Sequence, residues 1–260
     1  AVADASTETY PWSVPDAIGS ALRVKITDTT NSTVTDTSDG NFNIKGALEL
    51  TSPNGTELWI VDESRNITWN RTGSIANVKL EYSVNGGGAY PNVITNSTDA
   101  STGSYGWTVP DAIGTQLRVR VTDTTNPTVV DTSDANFEIK GSLTLTSPNG
   151  NEEWLVDSSH PITWSKTGTF ANVKLEYSTN SGSGYDNVIV TSTGAGAATG
   201  SYDWTVDDSI SKDVRVRVTN ADDSAVSDTS DADFKIMGSL TLTAPDGGVP
   251  WVVDESREIT

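Results

Sequence analysis

The 260-residue chain has no cysteine, one histidine and one methionine. Without cysteine there is no disulfide framework, although this does not fix the compartment. With His160 as the sole histidine, a nucleophile–base pair of Ser or Cys with His has almost nothing to draw on. Basic residues are also scarce, 16 Lys and Arg against 35 Asp and Glu, for a net charge of -19 and a pI near 4.2. That balance argues against nucleic acid and anionic membrane surfaces, which need clustered cations. No apolar run approaches a membrane span. The opening AVADASTETY lacks the basic start and apolar centre of a signal peptide.

What the chain does have is repetition. GALELTSPNGTELWIVDESRNITW at Gly46–Trp69 returns as GSLTLTSPNGNEEWLVDSSHPITW at Gly141–Trp164, and GSLTLTAPDGG opens a third copy at Gly238. Carried on to Ser83 and Ser178, the first two stretches share 26 of 38 aligned positions. A period of 95–97 residues is one compact domain per copy, not a short solenoid unit. The organisation expected is the back half of a copy over 1–45, complete copies over 46–140 and 141–237, and the front of another over 238–260.

Within a copy the apolar residues alternate, as in half-buried strands. Leu117, Val119 and Val121 alternate with Arg118 and Arg120; Val78, Leu80 and Tyr82 alternate with Lys79 and Glu81. No segment has a helical period. About seven strands are expected, near 48–52, 57–62, 66–70, 77–84, 104–109, 116–123 and 129–139. Such a pattern implies a two-sheet sandwich, because one open sheet would leave an apolar face wet. About two residues separate the last strand of each copy from the first of the next, too few for a flexible tether. The copies are expected to follow one another as a stiff string.

The pattern L-x-L-T-S/A-P-N/D-G … W-x-V-D … I-T-W … N-V-K-L-E-Y-S … R-V-R-V … D-T-S-D-x-x-F-x-I resembles the Ig-like repeat of Ser/Thr-rich fungal cell-wall proteins and of large prokaryotic extracellular proteins. The resemblance implies tandem Ig-like or fibronectin-III-like sandwiches at a cell surface or in a secreted fibre, and supplies no catalytic residues. The 67 Ser and Thr suit a secreted bacterial or archaeal surface protein.

Three sets of side chains invite a functional reading. Trp59 and Trp69, with Trp154 and Trp164, could form a sugar-stacking platform, but a sandwich core needs large side chains, and burial is expected for these four and for Trp12, Trp107 and Trp204. Tyr90 and Tyr185, in Gly-rich surroundings, are expected to be exposed. Asp123, Asp131 and Asp134 recur as Asp28, Asp36 and Asp39 and partly as Asp228 and Asp231. Hard oxygen ligands of this kind suit Ca²⁺, and equally they cap turns. N-glycosylation sequons stand at Asn31, Asn54, Asn66, Asn70 and Asn96, about the number chance provides, and glycans on the Ser/Thr-rich exterior are compatible with composition.

The functional expectation is a non-enzymatic structural component of an extracellular filament, needing no cofactor, with self-association as its partner chemistry. Either the chain is a stretch of a longer array, or the tail of one molecule completes the head of the next. The alternative is a polysaccharide- or host-binding module of a larger secreted adhesin or enzyme.

Overall fold

The structure, a computed structural model, describes all residues except Ala1 and Val249, so the expected segments 1–45 and 238–260 each include one residue outside the description. The chain divides into two compact units, residues 1–140 and 141–260. Among the described residues the regular structure is β except for two single-turn 3-10 helices, Ala5–Thr7 and Ala100–Thr102.

The first unit opens with four short strands, β1 (Gly19–Leu22), β2 (Lys25–Thr27), β3 (Thr35–Thr37) and β4 (Phe42–Ile44). A complete sandwich follows: β5 (Ala47–Ser52), β6 (Leu58–Ile60), β7 (Ser64–Thr72), β8 (Asn77–Ser83), β9 (Asn92–Asp99), β10 (Ser104–Thr108), β11 (Gly114–Asp123), β12 (Val130–Thr132) and β13 (Phe137–Lys140). One sheet has the order β10-β7-β5, the other β6-β13-β11-β8-β9, with β12 paired to β11. The second unit repeats this as β14 (Ser142–Ser147), β15 (Glu153–Leu155), β16 (Ser159–Thr167), β17 (Asn172–Ser178), β18 (Asn187–Gly194), β19 (Thr199–Thr205), β20 (Ser211–Asn220), β21 (Ser227–Thr229) and β22 (Phe234–Met237). Its sheets are β14-β16-β19 and β15-β22-β20-β17-β18, with β21 on β20. Each complete copy is thus an Ig- or fibronectin-III-like β-sandwich.

Alternation sets the register. Val119 and Val121 of β11 lie opposite Tyr82 and Leu80 of β8, so one face of the pair is apolar and turned to the core. The intervening Arg118 and Arg120 point outward and are half-buried. Trp59, Trp69 and Trp107 are buried with Ile67, Leu80, Val119, Phe137 and Ile139 in one core. Trp154, Trp164 and Trp204 are buried in the other.

Three expectations need correction. The strand expected over 129–139 is broken at Ser133–Asn136, giving β12 and β13, because Ser133 turns inward to other work. The edge strands β9 and β18 escape an apolar reading, since Asn96 and Ser97, and likewise Thr191 and Ser192, are exposed along them. Trp12 is not a core residue. It is 47 % exposed and touches Phe42 edge-on at 6.2 Å. Its counterpart Trp107 is covered by Trp59 and Tyr82, and the described head has no equivalent of either.

Candidate functional site

The recurring D-T-S-D segment builds a latch. In each complete copy the chain leaves one sheet after β5 and joins the other as β6, passing a cis peptide at Ser52–Pro53. Asp131 Oδ2 accepts from the backbone N–H of Leu50 at 2.7 Å, holding β5. The Ser133 hydroxyl donates to the Pro53 carbonyl at 2.7 Å and accepts from the Val119 N–H at 2.9 Å. Asp134 and Asn54 pair twice: the Asn54 amide donates to Asp134 Oδ2 at 2.8 Å, and the Asp134 N–H donates to Asn54 Oδ1 at 2.7 Å. The second copy repeats every contact. Asp228 holds Leu145, Ser230 bridges Pro148 and Val216, and Asp231 pairs with Asn149.

These carboxylates were the calcium candidates, and each has a separate protein partner. Asp123 Oδ1 accepts from the Thr125 N–H at 2.8 Å, capping a turn. Among the described residues no three acidic or His side chains gather closely enough to hold a metal ion. In the head, Asp28 caps a turn through Thr30 and Asn31, while Asp36 and Asp39 are exposed.

A second feature joins the head to the first complete copy. Only Lys45 and Gly46 separate β4 from β5. A Cβ on Gly46 would lie 2.7 Å from the Thr72 carbonyl oxygen and 2.8 Å from Ile75, so only glycine fits. The Asp16 carboxylate accepts from both the N–H and the hydroxyl of Ser74, and these bonds hold it below the usual aspartate pKa. Ile18 packs against Gly73, and Lys45 donates to the Thr128 hydroxyl at 2.7 Å. In the second unit Gly141 is hemmed in the same way by Thr167 and Phe170.

The third is a charged cluster on the outer face of the larger sheet. Glu81, 6 % exposed, is bound by Lys79 at 2.7 Å and Arg120 at 2.8 Å, and Arg120 also covers the Tyr90 ring at 4.4 Å. Glu176, Lys174, Arg217 and Tyr185 repeat the arrangement. Tyr90 and Tyr185 are therefore half-buried, not exposed, because an arginine roofs each. Desolvation is the largest influence on Glu81 and raises its pKa, but the bonds and charges of Lys79 and Arg120 outweigh it. The net shift is downward. A lowered folded-state pKa gives stability that is present above the unfolded value and lost as pH falls through the folded one. Glu81→Gln is accordingly expected to cost roughly 1–2 kcal/mol at pH 7, the partners staying partly hydrated. The gap to the parent should close on acidification below the ordinary glutamate value of 4.5, as thermal melts across pH will show.

Of the sequons, Asn31, Asn66, Asn70 and Asn96 are exposed. Asn70 donates to Glu49, and the side-chain Oδ1 of Asn31 accepts from Thr33. Asn54 is committed to the latch through both ends of its amide, which a glycan on its nitrogen would break. The Ser133 role had one signal in the sequence: D-T-S-D recurs near the end of both complete copies, each of which opens on S-P-N-G.

No family model matches the chain, and no curated protein does either. Among solved structures it is similar to the fibronectin(III)-like modules of Clostridium thermocellum CbhA, at 16% identity and a TM-score of 0.26 over 74% of this chain and 94% of that one. A three-Ig-domain structure of titin is similar at 10% identity and a TM-score of 0.34, over 81% and 72%. The N-terminal four Ig domains of Dscam1 give 11% and 0.32, over 78% and 51%. These scores are low, and the Ig-like assignment rests on the strand order and register above.

Proposed function

We propose that the chain is a load-bearing, non-catalytic element of an extracellular filament or stalk, made of Ig-like sandwiches in series. The observation that carries this reading is one strand pair. β6 runs parallel to β13, with Leu58, Trp59 and Ile60 opposite Glu138, Ile139 and Lys140, and β15 runs parallel to β22 in the second copy. The chain enters a copy through β5, which leads into β6, and leaves it at the end of β13. Tension applied through the backbone therefore slides two parallel neighbours along each other, and their hydrogen bonds are loaded together. A hairpin pulled at adjacent ends opens one bond at a time. The latch adds to this, because Asp131 and Ser133 fasten the entering strand to the body of the fold.

The glycine-locked, two-residue passage from β4 to β5 supports the same reading, since slack between copies would waste extension under load. The buried tryptophans leave no sugar-stacking platform in the complete copies, which favours the rod over a polysaccharide-binding module. Asn66 and Asn96, exposed on strands, are the sequons best placed to carry glycans.

Single-molecule stretching tests it. Pulled from its two ends, each complete copy should resist as one abrupt rupture. Pulled between positions that peel β13 from one end, the same copy should yield at a several-fold lower force. Equal forces in both geometries would refute the load-bearing reading.

A further inference from the structure

The turn between β5 and β6 makes two demands that leave little choice of residue. Gly55 has a φ of 124°, and a Cβ there would meet the Ala135 Cβ at 2.6 Å, so the position takes glycine alone. Gly150 is held in the same way, with a φ of 123° and the Ala232 Cβ at 2.6 Å. The side chain before the glycine must donate to the Asp134 carboxylate and accept from the Asp134 N–H. An amide of asparagine's length does both, whereas a carboxylate can only accept. Close packing and the latch together thus call for Asn-Gly at 54–55 and at 149–150.

Asn-Gly is a chemically fragile pair, because no side chain shields the glycine nitrogen from the neighbouring amide carbon. Once that nitrogen gives up its proton to hydroxide, it can attack the asparagine Cγ. The N–Cγ bond forms, the Cγ–Nδ2 bond breaks, and Nδ2 leaves as ammonia. Water then opens the cyclic imide at either carbonyl, leaving aspartate or isoaspartate. Nothing is oxidised or reduced.

Both reacting groups are restrained here. Glu57 reaches back over the turn: its Oε1 accepts from the Asn54 N–H and its Oε2 from the Gly55 N–H, each at 2.7 Å. Glu152 does the same for Asn149 and Gly150, each at 2.8 Å. A carboxylate on the nucleophilic N–H opposes its deprotonation twice, through a charge-assisted bond to the proton and through repulsion of the anion that would form. Asp134 meanwhile fixes the Asn54 amide at its oxygen and its nitrogen, so Cγ cannot swing over the glycine nitrogen while the latch is closed. The copy that opens at Gly238 adds an independent sign. There Val249 takes the sequence position of Glu57, and Asp246 takes that of Asn54. Where the acid is missing, so is the labile amide.

We propose that Asn54 and Asn149 are latent deamidation sites, kept intact by Glu57, Glu152 and the closed latch, and that deamidation of either unlocks its copy irreversibly. The product sets one carboxylate against another where a reciprocal amide–carboxylate pair stood, and isoaspartate also reroutes the backbone through a side-chain carbon. The inference concerns the chemical lifetime of the fold and stands apart from the load-bearing reading.

Peptide mapping by mass spectrometry, on the intact chain aged in mildly alkaline buffer, tests it. Asn85–Gly86 is the internal reference, since its glycine N–H donates to the Gln116 carbonyl at 2.8 Å and not to a carboxylate. Asn54 and Asn149 should deamidate at least about tenfold more slowly in the folded chain than in urea, and Glu57→Gln should speed Asn54 by about tenfold, the difference between a charged and a neutral acceptor. Asn85 and Asn149 should keep their rates in that variant, and Glu152→Gln should act on Asn149 alone. Equal rates folded and unfolded, or no change at Asn54 in Glu57→Gln, would overturn the proposal. An acceleration that Asn85 shares would mean general loosening of the copy and would equally overturn the role given to Glu57. Asn54→Asp makes the aspartate product directly and should lower the melting of the first complete copy; unchanged melting would sink the unlocking step.

Discussion

Trp69→Ala is expected to destabilise the first complete copy by about 3–5 kcal/mol, the range for removing a buried Trp from a core. Trp69 is 3% exposed and its indole N–H donates to the Ala100 carbonyl at 3.0 Å, so truncation opens a cavity and leaves that buried carbonyl with only the longer 3.4 Å bond from the Gly103 N–H. For a domain of this size the shift is roughly 15–30 °C in Tm. Calorimetry of the parent should show overlapping transitions from two near-identical copies, and the variant should split them, with the transition of residues 141–237 staying in place. Trp164→Ala should do the converse. Its ring lies so close to Gly200 that a Cβ there would come within 2.3 Å of it, so the site has no slack to refill. Trp12→Ala is the contrast: the same motif position as Trp107, half exposed, and expected to leave both transitions unchanged. A single transition moving as a whole in Trp69→Ala would mean that the copies do not unfold independently.

The contrast between Trp12 and Trp107 shows what a sequence can and cannot specify here. Alternation is local, so the faces of β8 and β11 follow directly from Val78-Lys-Leu-Glu-Tyr82 and Leu117-Arg-Val-Arg-Val121. The repeat extends that reading to the whole chain, and two-sheet closure follows from having one wet and one dry face. Burial of a particular aromatic is not local. Trp12 and Trp107 sit in matching motifs, and only the presence of Trp59 and Tyr82 decides between them. Edge strands such as β9 are set by pairing to β8 and carry little apolar signal of their own. The arginine roofs over Tyr90 and Tyr185 are likewise made by strands distant in sequence.

The latch is the clearest case of a partner that spacing conceals, and Ser133 is its sharpest test. Its hydroxyl satisfies the Pro53 carbonyl, 80 residues away, and the Val119 N–H, and the side chain is fully buried. Ser133→Ala changes one oxygen atom in volume, leaves β11 and β12 paired, and strands two buried backbone groups. At about 1–3 kcal/mol for each unsatisfied group, less whatever local relaxation recovers, the loss should be about 2–4 kcal/mol. Ser230→Ala should reproduce it in the second copy, where the hydroxyl donates to Pro148 at 2.8 Å. A turn-capping or metal-binding role for D-T-S-D would place the larger loss at Asp134→Ala, whose carboxylate is exposed and bonds the Asn54 side chain. Chemical denaturation of the three variants therefore ranks the readings. Stretching Ser133→Ala carries the argument to function: an entering strand no longer pinned at Pro53 should let β5 go before the β6–β13 pair bears load. The abrupt rupture would then be preceded by a short extension of the freed strand.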